Sequence, residues 1–310
     1  MLEYLMELDL IEYLNQQMLN KTLIFFFFIF GVAANAQLPN SNMYLFTLTK
    51  GGGKYTLKSP QFLTAFNING YNNQPAFLSD DEIYFTTNYY EEDQTEIAKF
   101  DIFEESLTRI TYTDESEYSP LPVPHKDEFS CVRAETDGKT QTLSVYPLDG
   151  IGYAKRFMNN TNNIGYHNWI DDKTVALFLV GPPDHSLAIA DAKSERRKII
   201  LDKIGRSLKV DRNEQLYFVH KMSDKDWYIK SYDRNTSKSK VIVKTLQGSE
   251  DFELMNDGSI IMASGSVVYH YNPKNNTDWK PILDLTDYGI ENISRIAARK
   301  NRLVIVDQKL

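Results

Sequence analysis

One cluster of residues recurs six times along this chain: an apolar stretch, a short polar turn and a β-branched or aromatic run, at intervals of 41 to 46 residues. A period of that length is the signature of a β-propeller, since a single unit cannot bury both of its faces and must stack on neighbours. The copies read QPAFLSDDEIYF from Gln74, SPLPVPHKDEFSCV from Ser119, YHNWIDDKTVALFLV from Tyr166, RSLKVDRNEQLYFV from Arg206, SEDFELMNDGSIIM from Ser249 and ISRIAARKNRLVIV from Ile293. Aligned on the first core residue after the turn, they give Ile83, Phe129, Val175, Leu216, Ile260 and Leu303 one structural role.

Between these copies lies a second recurring unit, a hairpin whose first strand ends in a short polar residue: Asp101, Asp149, Asp191, Asp233 and Asn272. Such side chains bond nearby backbone groups and tolerate tight bends. Each repeat therefore holds four short strands, which is one propeller blade. The sixth copy has only its first two strands, and the segment NMYLFTLTKGGGKYTL from Asn42 has the strand, turn, strand character of the missing pair. The expected fold is all-β: a six-bladed propeller over residues 37–310 whose last blade is shared by the N-terminal and C-terminal strands, which protects both edges. Gly51 to Gly53 serve a turn rather than a phosphate cradle, because no helical periodicity follows them.

The first segment reads as an address. Leu23 to Val32 is a short apolar run preceded by Lys21 and followed by Ala34-Asn35-Ala36, the pattern of a secretory signal cleaved after Ala36. Glu3, Glu7, Asp9 and Glu12 put negative charge where such signals carry positive charge, which points to Met18 as the true start; an uncleaved anchor or an amphipathic leader is the alternative. The net charge is −8, and removing the leader's four acids and one Lys leaves −5. That balance gives no electrostatic footprint for nucleic acid. Cys131 stands alone, so no internal disulfide forms, and its place in the run FSCV reads as a small apolar filler. A bacterial envelope suits a secreted chain without disulfides.

The stretch from Asn73 to Gly150, with QPAFLSDDEIYF, YTDESEYSPLPVP and LSVYPLDG, resembles the WD-like propeller repeats of the TolB type, in which a Pro-x-Phe/Pro-Ser-x-Asp-Gly turn leads into an aromatic strand. The later copies keep Asp171-Asp172 and Asn256-Asp257-Gly258 at the turn but lose the proline. The resemblance spans about residues 42 to 307 in architecture, but the mature chain is expected to lack the separate α/β domain that precedes the propeller in TolB itself. It implies a periplasmic or secreted binding propeller, and leaves the partner open.

Propellers bind where the loops entering the innermost strands converge. The position of Gln74 recurs as Ser119, Tyr166, Ser207, Asp251 and Ser294, and the one before it as Asn73, Tyr118, Gly165, Arg206, Glu250 and Ile293. The candidate ligand set at the channel mouth is Asn73, Gln74, Glu117, Tyr118, Tyr166, His167, Arg206, Glu250 and Asp251. The competing reading is that these groups cap strand ends and meet channel water.

Glu117, Glu250, Asp251 and His167 would be the acid/base groups of an enzyme, which needs two carboxyls at a defined separation. No catalytic residue is assigned. The five histidines are scattered singly without metal-ligand spacing, no Gly-x-Ser-x-Gly elbow is present, and neither metal nor cofactor is expected. Tyr89 to Asp93 and Ser194 to Lys198 read as solvated hairpin tips, and Trp169 and Trp227 as blade-packing aromatics. The expected function is a monomeric, exported, non-catalytic module that recognises an envelope protein or peptide, with no membrane span in its mature form. The alternative is a carbohydrate-active or lactone-hydrolysing propeller enzyme.

Overall fold

A computed structural model describes residues 38–148 and 154–309 of the protein. The leader and Asp149 lie outside the described residues. The propeller falls within one compact unit that begins at Pro39.

The strands group in fours, in chain order. The first pair is β1 (Ser41–Gly51) and β2 (Lys54–Phe62). Blade one is β3 (Asn72–Phe77), β4 (Glu82–Glu91), β5 (Gln94–Asp101) and β6 (Ser106–Arg109); blade two is β7 (Ser116–Pro122), β8 (Glu128–Ala134), β9 (Gln141–Pro147) and β10 (Lys155–Phe157). Blade three is β11 (Ile164–Trp169), β12 (Thr174–Leu179), β13 (Ser186–Asp191) and β14 (Arg197–Asp202). Blade four is β15 (Ile204–Val210), β16 (Leu216–Lys221), β17 (Trp227–Asp233) and β18 (Lys238–Lys244), and blade five is β19 (Phe252–Leu254), β20 (Ile260–Ser264), β21 (Val267–Tyr271) and β22 (Lys280–Asp284). Blade six combines β23 (Ile293–Arg299) and β24 (Arg302–Gln308) with the first pair in the order β2-β1-β24-β23.

Closure by both ends is as expected. Tyr44 pairs with Ile305, Leu45 with Val304 and Phe46 with Leu303 in an antiparallel ladder. Side chains alternate across these two strands with a period of two. Met43, Leu45, Val304 and Val306 face blade one, while Phe46, Leu48, Leu303 and Ile305 face blade five. The same division holds around the ring, which has one apolar core between each pair of adjacent blades. The six aligned core residues, Ile83, Phe129, Val175, Leu216, Ile260 and Leu303, are buried, each at or next to the start of its blade's second strand. Each such side chain removed from water stabilises the fold by about 1.5–3 kcal/mol. Cys131 sits in the core between blades one and two, where burial pushes its thiol up.

The polar turns behave as their composition predicts. Asp101 accepts backbone N–H bonds from Phe103 and Glu104, Asp191 from Lys193 and Ser194, Asp233 from Asn235 and Thr236, and Asn272 from Lys274. Among the described residues no helix is long and apolar enough to cross a membrane.

Candidate binding site in the central channel

The innermost strands β3, β7, β11, β15, β19 and β23 each touch the next, and β23 touches β3, so they enclose a channel. Pairing fixes their register. The six core residues oppose Phe77, Pro122, Trp169, Val210, Leu254 and Ala298. Three residues before each of these stand Gln74, Ser119, Tyr166, Ser207, Asp251 and Arg295, and all six line one cavity of about 80 Å³.

The sixth member corrects the sequence alignment, which put Ser294 there. The hairpin between β23 and β24 is tight, with Arg299 paired to Arg302 across Lys300 and Asn301 and Lys300 at φ +54°. Its turn is one residue shorter than those of the first, third, fourth and fifth blades, so counting back a constant interval from Leu303 lands one residue early. In blade two, where Pro122 pairs with Phe129, the turn is one residue longer, and Ser119 stands at the matching position.

Charged groups occupy one side of the channel. Glu250 accepts a bond from the Arg206 backbone N–H at 3.1 Å and pairs with Lys221 at 2.9 Å, with Arg206 Nε at 3.6 Å. Burial works to raise its pKa, but the Lys221 bond and the Arg206 charge outweigh this and hold it below the ordinary glutamate value. Asp251 accepts from Ile296 N at 3.0 Å and from Arg295 Nη1 at 3.3 Å. Lys209 reaches Glu253 at 2.7 Å. Arg295 also crosses to the blade opposite, donating to the Tyr166 hydroxyl at 3.0 Å with its guanidinium over the ring. Arg206 bridges to Ser294 O at 3.2 Å, skipping blade five.

The facing side is neutral. Gln74 Oε1 accepts from Thr86 at 2.9 Å and from Ser119 N at 2.8 Å, and Asn168 donates to Leu208 O at 2.8 Å. Gln74 and Ser119 sit at φ +56° and +55°, each inside a bulge of its inner strand, which turns their side chains out of the regular alternation. His167 is buried, with Nε2 at 2.6 Å from Ser130 Oγ, and Trp169 Nε1 donates to the same oxygen at 2.8 Å. Burial drives His167 down to about 3, so it is neutral near pH 7 and carries no proton to deliver as an acid.

Of the nine candidates, Gln74, Tyr166, His167, Arg206 and Asp251 line the cavity, and Glu250 lines an adjoining one of about 440 Å³ shared with Arg206, Asp251 and Arg295. Three lie elsewhere. Asn73 is buried and accepts from Gln74 N at 2.8 Å. Tyr118 packs on the core between blades two and three and borders a separate surface cavity. Glu117 is buried between blades one and two, beside Glu96, and accepts from Thr113 Oγ1 and, at 3.2 Å, from Tyr146. Strand alternation explains all three, because residues before the bulge point away from the channel. Burial, with the Glu96 carboxylate alongside, pushes Glu117 up to about 8 against the bonds from Thr113 and Tyr146.

Sequence reasoning missed Arg295 and Lys209. Arg295 was hidden by the short turn, and Lys209 lies just past the bulge that holds Ser207, in the regularly paired part of the inner strand. The four proposed acid/base groups do not share one cavity, and only Glu250 and Asp251 meet in the second. Glu117 is in neither cavity, His167 and Glu250 do not share one, and Glu250 and Asp251 are committed to Lys221, Arg206 and Arg295. Among the described residues no three His, Cys, Asp or Glu side chains come together as a metal site.

No family model matches the chain, and no curated protein matches its sequence. Its fold is shared by solved structures. A putative TolB from Agrobacterium tumefaciens is similar with a TM-score of 0.66 at 9% identity, over 88% of this chain and 99% of that one. TolB from Acinetobacter baumannii gives 0.57 at 14%, over 76% of this chain and 61% of that one, so the chain spans about three fifths of that protein. A putative gluconolactonase gives 0.54 at 7%, over 77% and 89%. The chain is a six-bladed propeller with TolB-like structural neighbours, and at these identities the likeness establishes the fold alone.

Proposed function

We propose that this protein is an exported, non-catalytic binding module of the bacterial cell envelope, which takes a peptide segment of an envelope protein at the mouth of its channel. The observation that carries the reading is the convergence of six side chains, one from each blade, on one cavity with a second polar cavity beside it. The signal-like leader and the TolB-like neighbours support the location and the binding role. The module acts as a monomer without a cofactor, has no membrane span in its mature form and does not take nucleic acid as its partner.

A photo-crosslinking amino acid at Tyr166, inside the channel, tests this in the native envelope against the same group at Phe103, which is 82% exposed on an outer hairpin. A defined protein captured from Tyr166 and not from Phe103 is expected, and equal capture from both positions contradicts the reading. Mass spectrometry of the exported protein is expected to find Gln37 as its first residue.

A lactone-hydrolysing enzyme is the second reading, favoured by the gluconolactonase neighbour and by an acid, Asp251, in the channel. It requires Asp251 to leave Arg295 and Ile296 N in order to act as a base. Turnover of a lactone panel that is lost in Asp251→Asn would establish it.

A further inference from the structure

Among the described residues, five buried polar atoms of the cavity lining have no hydrogen-bond partner: Arg206 Nε, Arg295 Nε, His167 Nδ1, Ser119 Oγ and Ser207 Oγ. A buried polar group left unpaired costs about 1–3 kcal/mol, more when charged. Their chemistry is one-sided. The two arginine nitrogens are donors without acceptor capacity. Ser130 Oγ already accepts from Trp169, and its next acceptor, Leu121 O, is at 3.4 Å, so its proton goes to His167 Nε2 at 2.6 Å. That network assigns the imidazole proton to Nδ1, a third donor. Two hydroxyls, free to rotate, complete the set. The acid in the same lining, Asp251, is held by Arg295 Nη1 and Ile296 N.

Charge points the same way. Arg206, Lys209, Lys221 and Arg295 face Glu250, Asp251 and Glu253, which leaves one positive charge uncompensated in a chain whose net charge is −8. Arg206 is the surplus cation, because Lys221 satisfies Glu250 at 2.9 Å and Arg206 reaches it at 3.6 Å. A cavity of about 80 Å³ has room for a group of a few heavy atoms. A small, singly charged acceptor fits this volume and this balance, and guanidinium groups are matched to the planar fork of a carboxylate.

We propose that the channel cavity is a carboxylate-binding site, with the anion held between Arg206 and Arg295 and bonded by Ser119, Ser207 and His167. Resting on the binding-module reading, this names the partner's anchor: an Asp or Glu side chain, or a chain end, inserted into the channel.

The test follows the arginine Nε–Hε signals of the full chain by NMR during titration with sodium acetate and with a capped Gly-Asp-Gly peptide, against capped Gly-Asn-Gly and sodium chloride. The Asp peptide is expected to shift the Arg206 and Arg295 signals saturably, and the Asn peptide and chloride are not. Arg206→Gln, which leaves Glu250 with Lys221, is expected to weaken binding about tenfold or more, the effect of one lost charge-assisted bond. Arg295→Lys, which keeps the charge and loses the fork, is expected to weaken it by a smaller factor, with thermal melting reporting that each variant is folded. Equal response to the Asp and Asn peptides, saturation by chloride, no saturable shift at all, or unchanged affinity in both folded variants overturns the site. Saturation by acetate but not by the peptide supports the carboxylate site and counts against a peptide partner. Photo-crosslinking at Tyr166 that persists without any carboxylate response keeps the binding module and overturns the carboxylate anchor.

Discussion

The two halves of the channel join their blades by the same device with different chemistry. In blades one to three, Gln74 and Asn168 reach the backbone of the next inner strand with neutral amides. In blades four to six, Glu250 and Asp251 reach the neighbouring inner strand's backbone with carboxylates, each then neutralised by cations. The neutral half shows that stitching one blade to the next needs no charge. The ion pairs of the other half are therefore more than the ring requires, and they leave one cation over.

Arg295→Ala should cause the largest loss of stability. It strips Asp251 of its cation and removes the bond to Tyr166, at a cost of about 3 kcal/mol or more for a broken, largely buried pair. Gln74→Ala, the equivalent in the neutral half, should cost about 1 kcal/mol, because the Thr86 hydroxyl loses its acceptor while the Ser119 N–H keeps Thr86 Oγ1 at 3.2 Å. Denaturant unfolding of the two variants compares the halves directly, and equal losses would erase the distinction between them.

The pH dependence separates two other groups. Glu117, raised to about 8 from 4.5, binds more protons in the folded than in the unfolded chain between those values, so its contribution to stability falls as pH rises through that window. Glu117→Gln should therefore raise the melting temperature relative to wild type more at pH 8 than at pH 5, by several degrees, on the order of 5 °C. His167, lowered to about 3 from 6.5, works in the opposite sense: stability is lost as pH falls below 6.5 and the unfolded chain takes up the proton. A melting temperature for Glu117→Gln that tracks wild type at both pH values would remove the buried carboxyl from the account. The smallest effect is expected for Lys244→Ala, whose pair with Asp226 is about half exposed on both sides and should be worth at most about 0.5 kcal/mol.

The blade count, the closing strand and the hairpin turns were legible because each rests on local pattern. Alternation places Met43 and Leu45 on one face and Phe46 on the other, and the Asp turns announce themselves by composition. The channel residues were legible only in part, since their orientation depends on bulges that spacing does not encode. Residues such as Glu117 and Tyr118 stand one or two positions before the bulge and so turn into the interface between blades, while Ser119 inside it turns into the channel. Arg295 escaped because the turn that follows it is one residue shorter than those of its counterparts, a fact that pairing reveals and a lone sequence does not.

All of this depends on a ring closed by both ends of the propeller, which holds six side chains around one lumen. Amide hydrogen exchange measures that closure most directly. Tyr44 to Leu48 are predicted to exchange as slowly as Leu303 to Val306 and to be released with them in one step as denaturant is added. Exchange of Tyr44 to Leu48 at the rate of the outer strand Lys54–Phe62, while Leu303 to Val306 stay protected, would mean that the ring is open and would contradict the account.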